Sequence, residues 1–294
     1  MPKQSLKNWT LAIRPKTLPA SIAPVFIATA MAFGDGIYHF PTAFMCLFGA
    51  LAIQIGTNLA NDYYDFEKGA DTQERLGPVR VTQAGLIPPS SVKLAFIVSF
   101  SLSAIACLGL VMRAGWPMAV LGVFAVLSGI FYTAGPRPLG YMGWGDLLAF
   151  VFFGPIAVAV TYYVQSFEMN AAVFMAGFAP GLFSVAILTV NNLRDMEGDQ
   201  RAGKKTLAVR FGRSFALSEY LFCLLTAALI PVFIYMLIQD HLAILTSVLT
   251  ALAAVATIKT VLTKTDGPSL NAALAATGKL LLIYSILFSA GWIL

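Results

Sequence analysis

Carboxylates in this chain are concentrated at two places, where they could bind a cation. Asp62 and Asp65 lie three positions apart at the first, and Asp195 and Asp199 lie four positions apart at the second. These two places and their immediate neighbours hold eight of the 14 acidic residues of the chain. Because residues three or four apart share a face of a helix, each place presents a pair of carboxylates to one side.

An asparagine lies one helical turn before each pair: Asn58 in the first acidic stretch (residues 58–71) and Asn191 in the second (residues 191–199). Carboxylate and amide oxygens are hard ligands that suit Mg²⁺, which usually also keeps waters and is shared with substrate phosphates. A divalent cation relieves the repulsion between crowded carboxylates, and negative helix C-termini favour it further. The predicted metal ligands are Asn58, Asp62, Asp65, Asn191, Asp195 and Asp199.

Basic residues flank both acidic stretches, with Lys68 and Arg80 after the first carboxylate pair and Lys204, Lys205 and Arg210 after the second. If metal ions balance the carboxylates, these cations are not needed for that purpose and fit phosphate oxygens better. The flanking regions, residues 66–91 and 196–213, are expected to be the two longest inside loops. The alternative reading of the same carboxylates is a calcium site or an ion-coupled transport site.

The elements that carry these residues are strongly apolar. Hydrophobic residues make up 58% of the 294 and charged residues 11%, against about 25% charged in a typical soluble domain. Apolar blocks of about 20 residues recur, which is the length a helix needs to cross a bilayer. We therefore predict an all-α polytopic membrane protein, because helices satisfy their own backbone polar groups in lipid. The nine predicted spans are residues 18–33, 42–63, 92–112, 116–133, 144–163, 171–194, 214–237, 242–262 and 272–293.

The distribution of basic residues predicts the orientation of these spans. With the N-terminus in the cytoplasm, 18 of the 19 lysines and arginines fall in inside segments, and Arg113 is the exception. Such an asymmetry is the usual sign of the cytoplasmic side. Four spans separate Asp62 from Asp195, so both acidic stretches should face the cytoplasm. The net charge of +5 therefore reflects orientation, and no nucleic-acid partner is expected.

The two acidic stretches also resemble copies of one another. Asn58 and Asp62 reappear as Asn191 and Asp195 at an offset of 133 residues, which also carries the second span onto the sixth. We predict one transmembrane domain over residues 1–294 with a weak internal repeat. A repeat interface is a common place for a binding site in membrane bundles, and within a membrane cavity a metal and bases imply a lipid diphosphate.

At these residues the sequence resembles the UbiA superfamily of intramembrane aromatic prenyltransferases. The family motif N-D-x-x-D matches residues 61–65, and the motif D-x-x-x-D matches residues 195–199. The family often has another acid at a position that is Gly69 here, where the next acid is Asp71. Within the superfamily the chain is most similar to the branch that prenylates 1,4-dihydroxy-2-naphthoate. That similarity rests on residues 14–19, 58–63, 77–80, 191–195 and 203–212.

The resemblance implies nine helices around a central cavity and a Mg²⁺-dependent transfer. Two Mg²⁺ ions at the two motifs would bind the diphosphate of an allylic polyprenyl donor, and the naphthoate ring would attack the allylic cation with loss of diphosphate and CO₂. This reaction belongs to menaquinone or phylloquinone biosynthesis in a lipid bilayer, with the cytoplasmic membrane of a bacterium as the expected location. The alternative acceptors are 4-hydroxybenzoate and homogentisate, and the remote alternative is an ion-coupled transporter.

The resemblance also extends the set of candidate site residues. Arg14, Tyr132 and Arg137 lie at inside ends of the first and fourth spans and are candidates to bind the aromatic acceptor or the diphosphate. The predicted catalytic residues are Asp62, Asp65, Asp195, Asp199 and Lys68. The predicted substrate-binding residues are Arg14, Asn61, Arg80, Tyr132, Arg137, Asn192, Lys204, Lys205 and Arg210.

Overall fold

The computed structural model describes residues 5–70 and 76–294, and every regular element in these ranges is helical. The α-helices of this part of the chain are α1 (Leu6–Ile13), α2 (Pro19–Gly34), α3 (Phe40–Glu67), α4 (Pro89–Ala114), α5 (Pro117–Phe131), α6 (Gly145–Phe152), α7 (Pro155–Ser166), α8 (Ala171–Ala176), α9 (Phe178–Arg201), α10 (Leu207–Ile238), α11 (Thr250–Thr263) and α12 (Gly267–Ile293). Short 3₁₀ helices lie at Pro15–Thr17, Gly140–Met142 and Leu242–Leu249.

Seven helical segments among the described residues are long and apolar enough to cross a membrane. Three of them combine neighbouring helices, because α6 runs into α7, α8 into α9, and the 3₁₀ helix at Leu242–Leu249 into α11. The segments Leu6–Thr17 and Pro19–Gly34 pass the same test together but bend by 55°. The prediction of an all-helical membrane protein is therefore confirmed for the described part of the chain.

The apolar helix α5 is shorter than the others. It has 15 residues, which at 1.5 Å per residue give roughly 22 Å, whereas the hydrocarbon core of a bilayer is about 30 Å thick. The predicted fourth span, residues 116–133, therefore corresponds to a helix that falls short of the full thickness by itself.

Two of the predicted spans are broken where glycine lets backbones approach closely. The predicted fifth span divides into α6 and α7 at Gly154, and Pro155 begins the second helix because its ring suits the first turn. A Cβ atom at Gly154 would lie 2.4 Å from the carbonyl oxygen of Phe150 and 2.6 Å from that of Gly177. Gly177 separates α8 from α9, so the two breaks pack directly against each other.

The expectation of a long inside loop over residues 196–213 is wrong. Helix α9 continues to Arg201 and α10 begins at Leu207, so that only residues 202–206 connect them. Thr206 ends the connection as an N-cap whose hydroxyl oxygen accepts a hydrogen bond from the amide of Val209 at 3.3 Å. Gly212 has a φ of 80° and kinks α10.

At the end of the bundle opposite the acidic stretches, one carboxylate joins three helices. Asp35 follows α2, and its two oxygens accept hydrogen bonds from the hydroxyl of Tyr162 at 2.6 Å and from the indole nitrogen of Trp292 at 2.8 Å. These donors belong to α7 and α12. This Asp35 junction gives the polar end of α2 partners in a largely apolar setting.

Candidate active site

A cavity of about 320 Å³ lies where the ends of α3 and α9 converge. Both acidic stretches contribute to its lining, through Asp65 from the first and Asp195 and Asp199 from the second. The opposite part of the wall is apolar and includes Leu148, Phe152, Phe153, Ile187 and Leu188. The cavity therefore has a charged end and an apolar end.

Most of the predicted site residues meet at this cavity. Those that line it are Arg14, Asn58, Asn61, Asp65, Arg80, Tyr132, Asn191, Asn192, Asp195, Asp199 and Lys204. Those that do not line it are Asp62, Lys68, Arg137, Lys205 and Arg210. Asp71 lies outside the described residues.

Asp65 is the carboxylate on which different parts of the chain converge. It is 2% exposed, and its Oδ2 accepts from the guanidinium of Arg80 at 3.0 Å and from the ammonium of Lys204 at 3.3 Å. Its Oδ1 accepts from the hydroxyl of Tyr141 at 2.7 Å. These contacts come from the loop after α3, from the turn before α6 and from the connection after α9, so tertiary packing assembles the surroundings of Asp65.

Asp62 points to the loop after α3 and is absent from the cavity lining. Its Oδ1 accepts from the backbone amide of Thr82 at 3.0 Å and its Oδ2 from that of Val81 at 3.2 Å. The carboxylate therefore caps a turn that is closed by the hydrogen bond from the amide of Ala84 to the carbonyl oxygen of Arg80. Helical spacing alone suggests that Asp62 and Asp65 act together, but the fold gives Asp62 a different partner. Its role as a metal ligand stays a prediction.

Asp195 is paired with its own neighbour in sequence. Nε and Nη2 of Arg194 donate to the two oxygens of Asp195 at 2.8 Å and 2.6 Å, which is the bidentate geometry that makes such pairs strong. Nη2 also donates to Oδ1 of Asn191 at 2.7 Å, and Nη1 donates to Oδ1 of Asn271 on α12 at 2.6 Å. We did not predict Arg194, because neighbours in sequence do not normally face each other on a helix.

Lys204 connects the two acidic stretches. Its ammonium lies 3.3 Å from Oδ2 of Asp65 and 3.8 Å from Oδ1 of Asp199. Its backbone amide donates to the carbonyl oxygen of Asp199 at 2.8 Å, which folds the connection after α9 back over the helix end. One cation therefore balances a carboxylate from each stretch.

Tyr141 was not expected at the site, and it contacts several of the charged groups. Besides its hydrogen bond to Asp65, its ring centroid lies 5.0 Å from the ammonium of Lys68 and 4.8 Å from that of Lys204. Distances below about 6 Å are those of cation–π contacts. The signal available in the sequence was the segment of residues 134–143, which is rich in Gly and Pro and contains Tyr141.

Several predicted bases hold loops together instead of reaching the cavity. Lys68 donates to the carbonyl oxygens of Thr133 at 2.6 Å and Gly135 at 2.9 Å, and desolvation lowers the pKa of its ammonium below the ordinary value, against the opposing charge of Asp65. Arg210 donates to the carbonyl oxygen of Met142 at 2.5 Å. These two bases therefore fix the loop between α5 and α6.

The remaining predicted residues include two that lie away from the cavity and two that line it. The backbone amide of Lys205 donates to the carbonyl oxygen of Tyr141 at 2.8 Å, whereas Arg137 is exposed to solvent. Asn61 faces the cavity and accepts a hydrogen bond from the hydroxyl of Thr133. Asn58 donates to the carbonyl oxygen of Ile13 at 2.8 Å, which ties the end of α1 to α3.

The donor set at the charged end fits a divalent cation. Over residues 5–70 and 76–294, no three His, Cys, Asp or Glu side chains lie close enough together to hold a metal ion. Asp65, Asp195 and Asp199 nevertheless offer carboxylate oxygens to one cavity, and each has a cationic side chain among its partners. Hard oxygen ligands of this kind bind Mg²⁺ when substrate phosphates complete the shell.

The fold and the cavity together define an integral membrane protein with a charged site at one end of an apolar cavity. Residues 21–293 match the UbiA prenyltransferase family. The chain belongs to this family, and the resemblance carried by the two acidic motifs is thereby confirmed.

Two bacterial relatives have names that state an activity. The 1,4-dihydroxy-2-naphthoate octaprenyltransferase of Escherichia coli is 38% identical to the chain over 239 residues, which cover 79% of this chain and 77% of that protein. The protein of the same name from Mycobacterium tuberculosis is 42% identical over 209 residues, which cover 71% of each.

A solved structure has the same fold. It is that of a UbiA homologue from Archaeoglobus fulgidus bound to GPP and Mg²⁺, which matches 96% of this chain and 99% of its own with a TM-score of 0.61. The two sequences are 16% identical, so this likeness concerns the fold.

Proposed function

We propose that this chain is a Mg²⁺-dependent prenyltransferase that transfers a polyprenyl group from an allylic diphosphate to 1,4-dihydroxy-2-naphthoate. The observation that carries the proposal is the convergence of both acidic stretches on one cavity with an apolar wall. The relatives from E. coli and M. tuberculosis carry the name of this activity at 38% and 42% identity. The reaction serves the biosynthesis of menaquinone or phylloquinone.

The balance of the reaction assigns a task to each part of the cavity. The carbon–oxygen bond of the donor breaks and releases diphosphate, and a carbon–carbon bond forms to the naphthoate ring. The carboxylate of the acceptor leaves as CO₂, and its electron pair returns to the ring. The cavity must therefore stabilise an anion at its charged end and shield an allylic cation from water at its apolar end.

Asp65, Asp195 and Asp199 are the carboxylates that would hold the metal, with the amide oxygens of Asn58 and Asn191 in support. When bound, Mg²⁺ supplies charge to neutralise the leaving diphosphate. We propose two ions, one for each acidic stretch, as the bridging position of Lys204 between the stretches suggests.

Arg80 and Lys204 are the bases that we assign to the diphosphate. Both line the cavity and both bind Asp65 in this structure. With a cation at the carboxylates, these two donors are available for phosphate oxygens, to which charge-assisted hydrogen bonds are strong. Asp62 supports Arg80 indirectly, because it caps the turn that begins at that residue.

Tyr132 and Arg14 are the candidates for contact with the aromatic acceptor. Both line the cavity, and two glycines pack closely against the Tyr132 side chain. A Cβ atom at Gly140 would lie 2.8 Å from the ring, and one at Gly145 would lie 2.9 Å from the Tyr132 hydroxyl. The apolar wall with Phe152 and Phe153 would take the isoprenoid.

The topology that we propose has nine spans, a cytoplasmic N-terminus and an active site on the cytoplasmic side of a bacterial inner membrane. The seven long segments, the bent pair α1–α2 and the short helix α5 are compatible with that number. The excess of basic residues in inside segments supports the orientation. We further propose that the whole chain is one domain whose repeat relates α3 to α9.

The test is an assay of the purified full-length protein in lipid nanodiscs. Dihydroxynaphthoate and a series of polyprenyl diphosphates should give prenylated product, diphosphate and CO₂ in equal amounts with Mg²⁺, and none after chelation with EDTA. Product from 4-hydroxybenzoate or homogentisate but not from dihydroxynaphthoate would replace the acceptor. Substrate-dependent flux in proteoliposomes without diphosphate release would favour the transporter instead.

A further inference from the structure

Tyr141 is the middle residue of the 3₁₀ turn Gly140–Met142, which lies between α5 and α6. Its side chain lines the cavity beside Asp65 and Lys204. It belongs to neither acidic motif and to none of the basic flanks. Its contacts nevertheless join both acidic stretches, which raises the question of what it does there.

The hydroxyl of Tyr141 fixes the direction of one carboxylate. It donates to Oδ1 of Asp65 at 2.7 Å, while Arg80 and Lys204 bind Oδ2. A carboxylate held at both oxygens cannot rotate freely. Hydrogen-bond partners of a metal ligand orient it in this way, and their loss typically costs about 10–100-fold in metal affinity.

The ring of Tyr141 acts on the neighbouring lysines. The ammonium groups of Lys68 and Lys204 lie 5.0 Å and 4.8 Å from its centroid. A tyrosine ring attracts cations electrostatically, and the attraction is stronger where water is excluded. The ring therefore keeps two like charges close to each other and close to Asp65.

The turn that carries Tyr141 is anchored on several sides. The carbonyl oxygen of Tyr141 accepts from the amide of Lys205 at 2.8 Å, and that of Met142 accepts from Arg210 at 2.5 Å. Gly143, with a φ of 80°, comes so close to the connection after α9 that a Cβ atom would lie 2.8 Å from the carbonyl oxygen of Lys205. These contacts therefore hold in place the backbone that carries the Tyr141 side chain.

We propose that Tyr141 is a positioning residue for the transfer reaction. Its hydroxyl orients Asp65 toward the metal, and its ring holds Lys204 where the diphosphate arrives. This inference rests on the proposed function, because it assigns a metal to Asp65 and a phosphate to Lys204. It predicts that the two roles of Tyr141 can be separated by substitution.

Two variants make that separation. Tyr141→Phe keeps the ring and removes the hydrogen bond, so metal affinity should fall by about 10-fold while the KM for the diphosphate stays near that of the wild type. Tyr141→Leu removes both, so the KM for the diphosphate should rise as well. The matched control is Tyr38→Phe, because Tyr38 is exposed near the opposite end of the bundle.

Metal binding is measured directly and without turnover. Mn²⁺ replaces Mg²⁺ as the probe, and its free concentration is followed by electron paramagnetic resonance on purified protein in detergent with no donor present. Size-exclusion chromatography and circular dichroism establish that each variant is folded. If Tyr141→Leu does not fold, Tyr141→Phe alone decides, because it preserves the volume of the side chain.

The outcomes distinguish this inference from the proposed function. Wild-type affinity for Mn²⁺ in Tyr141→Phe, with normal folding, would overturn the role of the hydroxyl while the proposed function stands. A wild-type KM in Tyr141→Leu would overturn the role of the ring. If the wild type itself binds no Mn²⁺ and forms no product, the metal assignment fails and the inference fails with it.

Discussion

The two acidic helix ends look alike in sequence but differ in how their carboxylates are held. At the end of α3, Asp65 takes its partners from three other parts of the chain, through Arg80, Tyr141 and Lys204. At the end of α9, Asp195 is bound by Arg194, which is the preceding residue. The contacts of Asp65 described here are therefore all tertiary, whereas Asp195 also has a strong partner within its own helix.

This difference has a consequence for electrostatics. Arg194 is 4% exposed. Removal of one partner from a buried ion pair strongly lowers the stability of the fold, because the other charge stays buried. Asp65 has several partners, so the loss of any one leaves the others. Loss of Arg194, which also binds Asn191 and Asn271, should therefore cost more than loss of one partner of Asp65.

The largest expected effect tests that contrast on stability. Arg194→Ala removes the bidentate partner of the buried Asp195 together with the hydrogen bonds of Arg194 to Asn191 and Asn271, and should cost about 3–5 kcal/mol. Arg80→Ala leaves Asp65 with Tyr141 and Lys204 and should cost about 1–3 kcal/mol. Thermal unfolding in detergent measures both. Lys259→Ala, an exposed position on α11, is the control, and equal losses for the two arginine variants would break the comparison.

The next effect concerns activity and separates two carboxylates of the same stretch. Asp65→Asn should lower kcat by about 10²–10³-fold, the usual result of removing a preorganised charged group. Asp62→Asn should lower kcat much less and act mainly on stability, because Asp62 binds the backbone amides of Val81 and Thr82. Steady-state kinetics with each variant decides. A loss for Asp62→Asn as large as for Asp65→Asn would support the predicted role of Asp62 as a metal ligand.

Lys204 tests the link between the two acidic ends. Lys204→Met removes the ammonium that lies between Asp65 and Asp199, so the KM for the diphosphate should rise by about 10–100-fold, as expected for a lost charged hydrogen bond. Mg²⁺ should also stabilise this variant more than it stabilises the wild type, because only the metal then relieves the repulsion. An unchanged KM would mean that the lysine serves the apo protein alone.

The smallest expected effect concerns Asn271, which binds Arg194 near the end of α9. Asn271→Ala removes a hydrogen bond to Arg194 and one to the carbonyl oxygen of Leu76, and should cost about 1 kcal/mol. Activity should fall less than in Lys204→Met, since Asp195 keeps Arg194. A loss equal to that of Arg194→Ala would show that the guanidinium depends on α12 for its orientation.

Much of the fold and part of the site could be predicted from the sequence. Apolar blocks of membrane length have few alternatives to helices, since lipid offers no partners to the backbone. Asp65, Asp195 and Asp199 line one cavity, and their place at two acidic helix ends was readable from the sequence. The boundaries failed at residues 196–213, because charged residues there extend α9 instead of forming a loop.

The partners of the carboxylates could not be predicted. Spacing tells which residues share a face of one helix, but the partners of Asp62 and Asp65 come from the loop after α3 and from a turn whose path depends on packing. The pairing of Arg194 with Asp195 departs from the rule that adjacent residues of a helix do not face each other. The long side chain of Arg194 bends toward its neighbour, and both residues are buried. For Asp62 and Asp65 the missing information was the course of a connection between helices.

The Asp35 junction ties α2, α7 and α12 to one another at the end of the bundle remote from the acidic stretches. Helices α3 and α9, which carry Asp65 and Asp195, have no part in these hydrogen bonds. A change in the spacing of the two acidic helix ends, such as entry of a long-tailed donor would require, therefore leaves the junction intact.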